Sequence, residues 1–170
     1  MRIAPIAPGT RPELASAEAA IAAERGRVSP LYQVLLNSPA IAHGWEQLLT
    51  AVRNRSSLPA DLRELVILRV AVLNRAPYEF DAHVPHAQKA GVRDEKIDAL
   101  RAEPLAALFT GLERSVLELT DTMTRDIEVP DTLFAAVSAS LDAQAMIDLT
   151  VTIAAYNMVS RFLVALQIGH

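Results

Sequence analysis

Residues 62–73 read Leu-Arg-Glu-Leu-Val-Ile-Leu-Arg-Val-Ala-Val-Leu, a run that is apolar on nearly every side of a helix. Such a helix must be covered all round, which restricts the chain to folds that can bury it completely. Nowhere does period-2 alternation with hairpin chemistry appear, so the expected class is all-α. Hydrophobic residues make up 51% of the chain but aromatics only 5%, so the core is built mainly from Leu, Val, Ile and Ala, a mix that suits packed helices. At 170 residues the chain fits one domain, 1–170, with residues 1–9 read as a flexible N-terminal arm.

Caps and breaks divide the chain further. Thr10-Arg-Pro-Glu13 has the spacing of a capping box and opens a helix to about Arg25, closed by Gly26. Ser29-Pro30 and Asn37-Ser38-Pro39 begin two more helices; Ile41, Trp45, Leu48, Leu49 and Val52 take helical spacing in the second. Pro59 opens the apolar helix, and Pro77 starts another that ends at Gly91, a left-handed capping glycine. A short helix from Asp94 to Leu100 follows. Thr110-Gly-Leu-Glu113 repeats the capping-box spacing, Val129-Pro130-Asp131 starts a helix to about Ser140, and Asp142 caps a long last helix to about Gln167.

Net charge is −4 and no block of Lys and Arg stands out, which argues against nucleic acid and anionic membrane as partners. No stretch reads as a membrane span, because the longest apolar segment, Ile147 to Ile168, carries Asp148, Asn157 and Arg161. The N-terminus lacks a signal-peptide core, so the expected address is cytoplasmic. The chain holds no cysteine, which removes disulfides and thiolate chemistry.

Chemistry concentrates between Glu64 and Gly91. Glu79 and His83 stand four apart on one helix face, where a carboxylate raises the imidazole's pKa and makes a proton-transfer pair near neutral pH. By spacing alone, a solvated ion pair is the simpler explanation of the two. Glu64 is a second carboxylate, on an otherwise apolar helix, and needs a partner: Arg63, Arg69, a backbone donor or a functional group. Glu79, His83 and His86 share a face that suits a metal, with His43 as a fourth ligand, but Pro85 is placed to kink the helix and spoil that alignment; no metal is expected. Arg69 offers a planar fork for a substrate carboxylate. Asn157 and Arg161, four apart, are either a polar pocket wall or an interface pair, and Trp45 and Phe162 read as core.

These residues carry a resemblance. The peroxidase branch of the carboxymuconolactone decarboxylase family, of alkylhydroperoxidase D-like fold, has the pattern Glu, eleven residues, Cys-x-x-Cys, three residues, His. Laid on this chain, Glu64 takes the glutamate, Ala76 and Glu79 stand at the two cysteine positions, and His83 takes the histidine. Tyr78-Glu-Phe-Asp-Ala-His83 instead resembles the Glu-x-x-x-His of the decarboxylase branch. Gly91-Val with Ile97, and Tyr156-Asn-Met-Val-Ser-Arg161-Phe, also look like family members without cysteine. The resemblance covers roughly Pro30 to Gly169.

It implies a multi-helix bundle with a long C-terminal helix, assembled as trimers or hexamers. It also implies a cofactor-independent lyase acting on a small carboxylated lactone or enol. Glu64, Glu79 and His83 would be catalytic; Arg69, Tyr78, Asn157 and Arg161 would face the substrate. Thiol peroxidase activity is excluded. The rival reading is a non-catalytic or ligand-binding oligomer that kept the fold without its Cys-x-x-Cys. The two part at one point: catalysis needs the two glutamates and the histidine to converge on one site.

Overall fold

The computed structural model describes residues 1–105, 107–109 and 111–169. Regular structure among them is all helical. A 3₁₀ turn at Pro12–Leu14 precedes α1 (Ala15–Arg25), α2 (Pro30–Leu35), α3 (Pro39–Asn54), α4 (Ala60–Leu73), α5 (Pro77–Lys89), α6 (Asp94–Ala99), α7 (Gly111–Arg125), α8 (Asp131–Ser138) and α9 (Ala143–Leu166). The chain divides into two compact units, residues 1–55 with the C-terminal end from Ala165, and residues 56–164.

In the first unit Pro30 and Pro39 stand in the first turns of α2 and α3, where a missing N–H costs nothing. Gly26 closes α1 at φ 75°. Two expectations fail here. Residues 1–9 are pinned rather than free: Ile6 is buried, its N–H bonds the Gln33 carbonyl at 2.9 Å, and the Arg2 N–H bonds the Leu166 carbonyl at 2.8 Å. Prolines and small residues signal a mobile arm, but one apolar anchor and a few backbone bonds offset that entropy. Thr10 does not cap; its hydroxyl donates back to the Ala7 carbonyl at 2.6 Å, and Arg11 takes the N-cap position without a side-chain bond. The role expected of Thr110 lies outside the described residues.

A buried polar network joins the three helices of this unit. Arg25 from α1 donates through Nε to both oxygens of Glu46 on α3, at 3.1 and 3.2 Å, and through Nη2 to Thr50 at 3.1 Å. Tyr32 of α2 donates to the same Glu46 carboxylate. Burial, reinforced by that carboxylate, raises the phenol's pKa well above its ordinary value. Trp45 is buried as well, and Phe162 on α9 is half-buried.

The second unit forms around α4, nine of whose fourteen residues are buried. Leu65, Leu68 and Ala71 on it pack with Phe80 and Ala87 of α5, Ile97 of α6 and Leu117 of α7. Its arginine does not meet its glutamate. Arg69, 1% exposed, donates through Nε to Asp121 on α7 at 2.6 Å, donates through Nη2 to the other Asp121 oxygen, and reaches the Leu100 carbonyl through Nη1 at 2.6 Å. This forked pair ties α4 to α7 and to the end of α6.

The joint between α4 and α5 is tight. The Ala76 N–H bonds the Ala71 carbonyl at 2.9 Å and the Arg75 N–H bonds that of Val72 at 3.0 Å, the paired bonds of a Schellman ending. Arg75 takes the left-handed position at φ 54°, where glycine is usual, and Ala76 caps α5 with Pro77 in its first turn. Gly91 ends α5 by the same device at φ 89°, as expected. Asp142 caps α9, accepting from the Ala145 N–H at 2.8 Å. By length and hydropathy α9 is apolar enough to cross a membrane, yet half of that stretch is buried, so it serves as a core helix.

Gly44 sits exposed in the interior of α3, with nothing within 4 Å of where a Cβ would stand. Gly44→Ala should therefore stabilise the protein by about 1 kcal/mol, read as a higher urea midpoint at unchanged slope. A lower midpoint would show that the site is not open.

Candidate functional site

The buried run Glu64 to Ala71 on α4 places Glu64 inside the second unit, 3% exposed. One helix on, α5 sets Glu79 in its first turn and His83 one turn later, both buried. The three groups converge. His83 Nδ1 lies 2.7 Å from Glu64 Oε2, and His83 Nε2 lies 3.2 Å from Glu79 Oε1. Pro85 lies inside α5 on an exposed face, but the helix continues through it and the Glu79–His83 alignment survives.

With a carboxylate oxygen at each nitrogen, the doubly protonated ring satisfies both contacts by donation. A neutral ring would turn one lone pair against a carboxylate. Burial works against the charged ring, but hydrogen bonds and attraction from Glu64 and Glu79 outweigh it, and the His83 pKa is raised above 6.5. The ring is withdrawn from water between two acceptors, one held close and one more loosely, an arrangement that favours its protonated form. A substrate atom can displace the longer contact more readily than the shorter.

Two further side chains border the cluster. Tyr156 on α9 puts its hydroxyl 3.3 Å from His83 Nε2, and its ring meets the imidazole edge-on with centroids 5.1 Å apart. Arg63 brings Nε to 3.7 Å from Glu64 Oε1, the oxygen that does not face His83. Sequence reasoning assigned neither to the site. Arg63 was one of several partners open to Glu64, whereas Tyr156, 73 residues from His83, has no spacing signal that links the two.

The residues expected to face a substrate are dispersed. Arg69 is committed to Asp121 and the Leu100 and Ala102 carbonyls, so it cannot also receive a substrate carboxylate beside His83. Its forked geometry was legible; the acceptor, 52 residues away, was not. Tyr78 is half-buried next to Glu79 in sequence. Asn157 is buried, accepting from Asn74 at 2.9 Å and donating to Thr124 at 2.9 Å, while Arg161 one turn on is exposed. His86 is exposed, its ring centred 5.5 Å from that of His83.

Residues 39–122 match the model of the carboxymuconolactone decarboxylase family. The uncharacterized protein YdfG of Bacillus subtilis (strain 168) is 29% identical over 114 residues, which cover 66% of this chain and 78% of that protein. A crystal structure of a protein of unknown function from Agrobacterium tumefaciens, a candidate AhpD antioxidant defence protein, superposes with a TM-score of 0.74 at 24% identity, covering 80% of this chain and 94% of that one. The debrominase Bmp8, bound to 2,3,4-tribromopyrrole, superposes with a TM-score of 0.80 at 15% identity, covering 99% of this chain and 90% of that one. At these identities the two structures establish a shared fold.

The cluster makes a directional prediction about charge. His83 gains proton affinity on folding, so its contribution to stability is complete below 6.5 and is lost as pH rises through its raised folded value. NMR titration of the imidazole should show it still protonated where an ordinary histidine is neutral. Glu64→Gln, which removes the closer carboxylate, should lower the midpoint more than Glu79→Gln. A wild-type midpoint at 6.5, indifferent to both changes, would mean that the cluster does not form in solution.

Proposed function

We propose that this chain, which through residues 39–122 belongs to the carboxymuconolactone decarboxylase family, is a cofactor-independent lyase acting on a small carboxylated lactone or enol. The observation that carries this reading is the buried imidazole of His83 with a carboxylate at each nitrogen. Unlike the buried arginine pairs that tie helices together, this one holds a group that can give up a proton, and away from water a held proton is directed rather than exchanged with solvent.

The chemistry needs little more. The carbon–carbon bond to the carboxylate breaks and carbon dioxide leaves. The electron pair passes into the substrate's own conjugated carbonyl, giving an extended enolate. His83 then delivers the proton on Nε2 to carbon as the enolate collapses, and becomes neutral. Glu79 orients that proton, Glu64 holds the opposite edge of the ring, and water restores the proton once product leaves. Tyr156, in reach of the same nitrogen, supports the ring and supplies a hydroxyl near the reacting atoms. A peroxide-reducing cycle has no nucleophile here, because the sequence contains no cysteine.

A screen of carboxylated lactones for carbon dioxide release tests this reading. His83→Gln, Glu64→Gln and Glu79→Gln should each lower turnover of a responsive compound by about a hundredfold or more. Hydroperoxide reduction with a dithiol should not exceed a heat-killed control. Variants that turn over like the wild type would sink the catalytic assignment and leave the rival, a ligand-binding protein on this fold.

We also read the chain as a homo-oligomer, trimer-based, in the cytoplasm. Supporting this, α9 exposes Ile147, Val151 and Met158 at spacings of four and seven residues along one face, an apolar stripe of the kind that subunit contacts cover. Light scattering at micromolar concentration should give a multiple of the chain mass. A single-chain mass would refute the assembly.

A further inference from the structure

The acid–base cluster lacks one component that its proposed substrates require, a cation to receive an anionic group. Arg69 was the natural choice by position, but its guanidinium is consumed by Asp121 and two carbonyls. Arg161 is exposed on the last helix. Arg63 remains.

Its Nε is buried and has no hydrogen-bond partner. A buried donor without an acceptor is a standing cost, and native structures rarely leave one without a reason. The neighbouring carboxylate does not remove that cost, because Glu64 Oε1 lies 3.7 Å away, an attraction between charges rather than a hydrogen bond. Arg63 therefore stands against one oxygen of Glu64 while His83 stands 2.7 Å from the other. The cation and the proton donor flank the same carboxylate. The Arg63 side chain is 15% exposed, against 4–5% for Glu64 and His83, so it is the edge of the cluster nearest to solvent.

We infer that Arg63 is the anion-binding residue of this site, taking the carboxylate of a small organic acid on its Nε edge. The inference rests on the acid–base reading of the cluster for what happens to the ligand afterwards, but not for binding itself. Three features favour a carboxylate. The guanidinium's planar edge matches two oxygens side by side. A bound carboxylate supplies the acceptor that Nε lacks. Arg63 also offsets the excess negative charge of Glu64 and Glu79 around a single imidazolium, so an anion can enter on this side at lower electrostatic cost. Glu64 then has a second task. By holding Arg63 at ion-pair distance without consuming its Nε, it positions the receptor as well as the imidazole.

The probe is a butenolide bearing one acetate side chain, a stable acid of the proposed substrate class, compared with its methyl ester. Binding is followed through the His83 imidazole resonances, so no turnover is needed. In the wild type the acid should shift those resonances saturably, and the ester should bind about tenfold more weakly or worse. Arg63→Gln should weaken the acid by about tenfold and leave the ester unchanged, abolishing the preference between them. Arg63→Lys, which keeps the charge without the planar edge, should fall between the two, and it carries the test if the glutamine variant does not fold. Undiminished binding of the acid to both variants would overturn the inference, as would failure of the acid to bind the wild type at millimolar concentration. Loss of acid binding in Arg63→Gln alongside the absence of carbon dioxide release from any lactone would instead uphold the anion site and defeat the decarboxylase reading.

Discussion

Two buried charges on the mostly buried helix α4, Glu64 and Arg69, set the terms for the second unit. A buried charge without a partner costs several kcal/mol, so neither Glu64 nor Arg69 can be placed inside until something else arrives to meet it. They lie five residues apart on α4 and face different neighbours. Arg69 calls in Asp121 from α7 and two carbonyls at the end of α6. Glu64 calls in His83 from α5. Because each demand is met by a different helix, the two together specify how α5 and α7 dock on α4, beyond what apolar packing around Leu65, Leu68 and Ala71 would select. The same demand that orders the packing produces the site.

Those two pairs also mark how far the sequence could be read. Glu79 and His83 were legible because helical periodicity puts residues four apart on one face, and the apolar surroundings of Glu64 made it conspicuous. The glycine at 91 predicted its own conformation, because only a left-handed ending needs glycine there. Arg75 performs the same duty at φ 54° with no such marker. Asp121 and Tyr156 reach their partners across 52 and 73 residues, distances over which no local pattern carries information. The N-terminal segment misled for a related reason. Its composition describes a chain without internal structure, whereas its order comes from Gln33 and Leu166 elsewhere in the chain.

Set against the peroxidase pattern of the family, the departures at Ala76 and Glu79 are not equivalent. Ala76 is buried at the start of α5, where it packs and caps without chemistry. Glu79, at the other thiol position, brings a carboxylate oxygen to 3.2 Å from His83 Nε2. A thiolate beside a histidine makes a nucleophile. A carboxylate in its place is no such nucleophile and instead accepts a hydrogen bond from the imidazole. The helices remain, and both thiols are gone.

The Schellman joint between α4 and α5 sets which kinds of sequence change the site can tolerate. Glu64 precedes it and Glu79 and His83 follow it, with no slack between the two hydrogen bonds of the joint and the first turn of α5. A helix turns by about 100° per residue, so one residue inserted or deleted at 74–76 would swing the histidine's face away from Glu64 by more than a quarter of a revolution. Surface loops elsewhere can grow or shrink without that penalty. Descendants of such a chain can therefore acquire new chemistry by exchanging side chains at fixed positions, but not by changing length at this junction, and the count of residues between Glu64 and His83 should drift far more slowly than their identities.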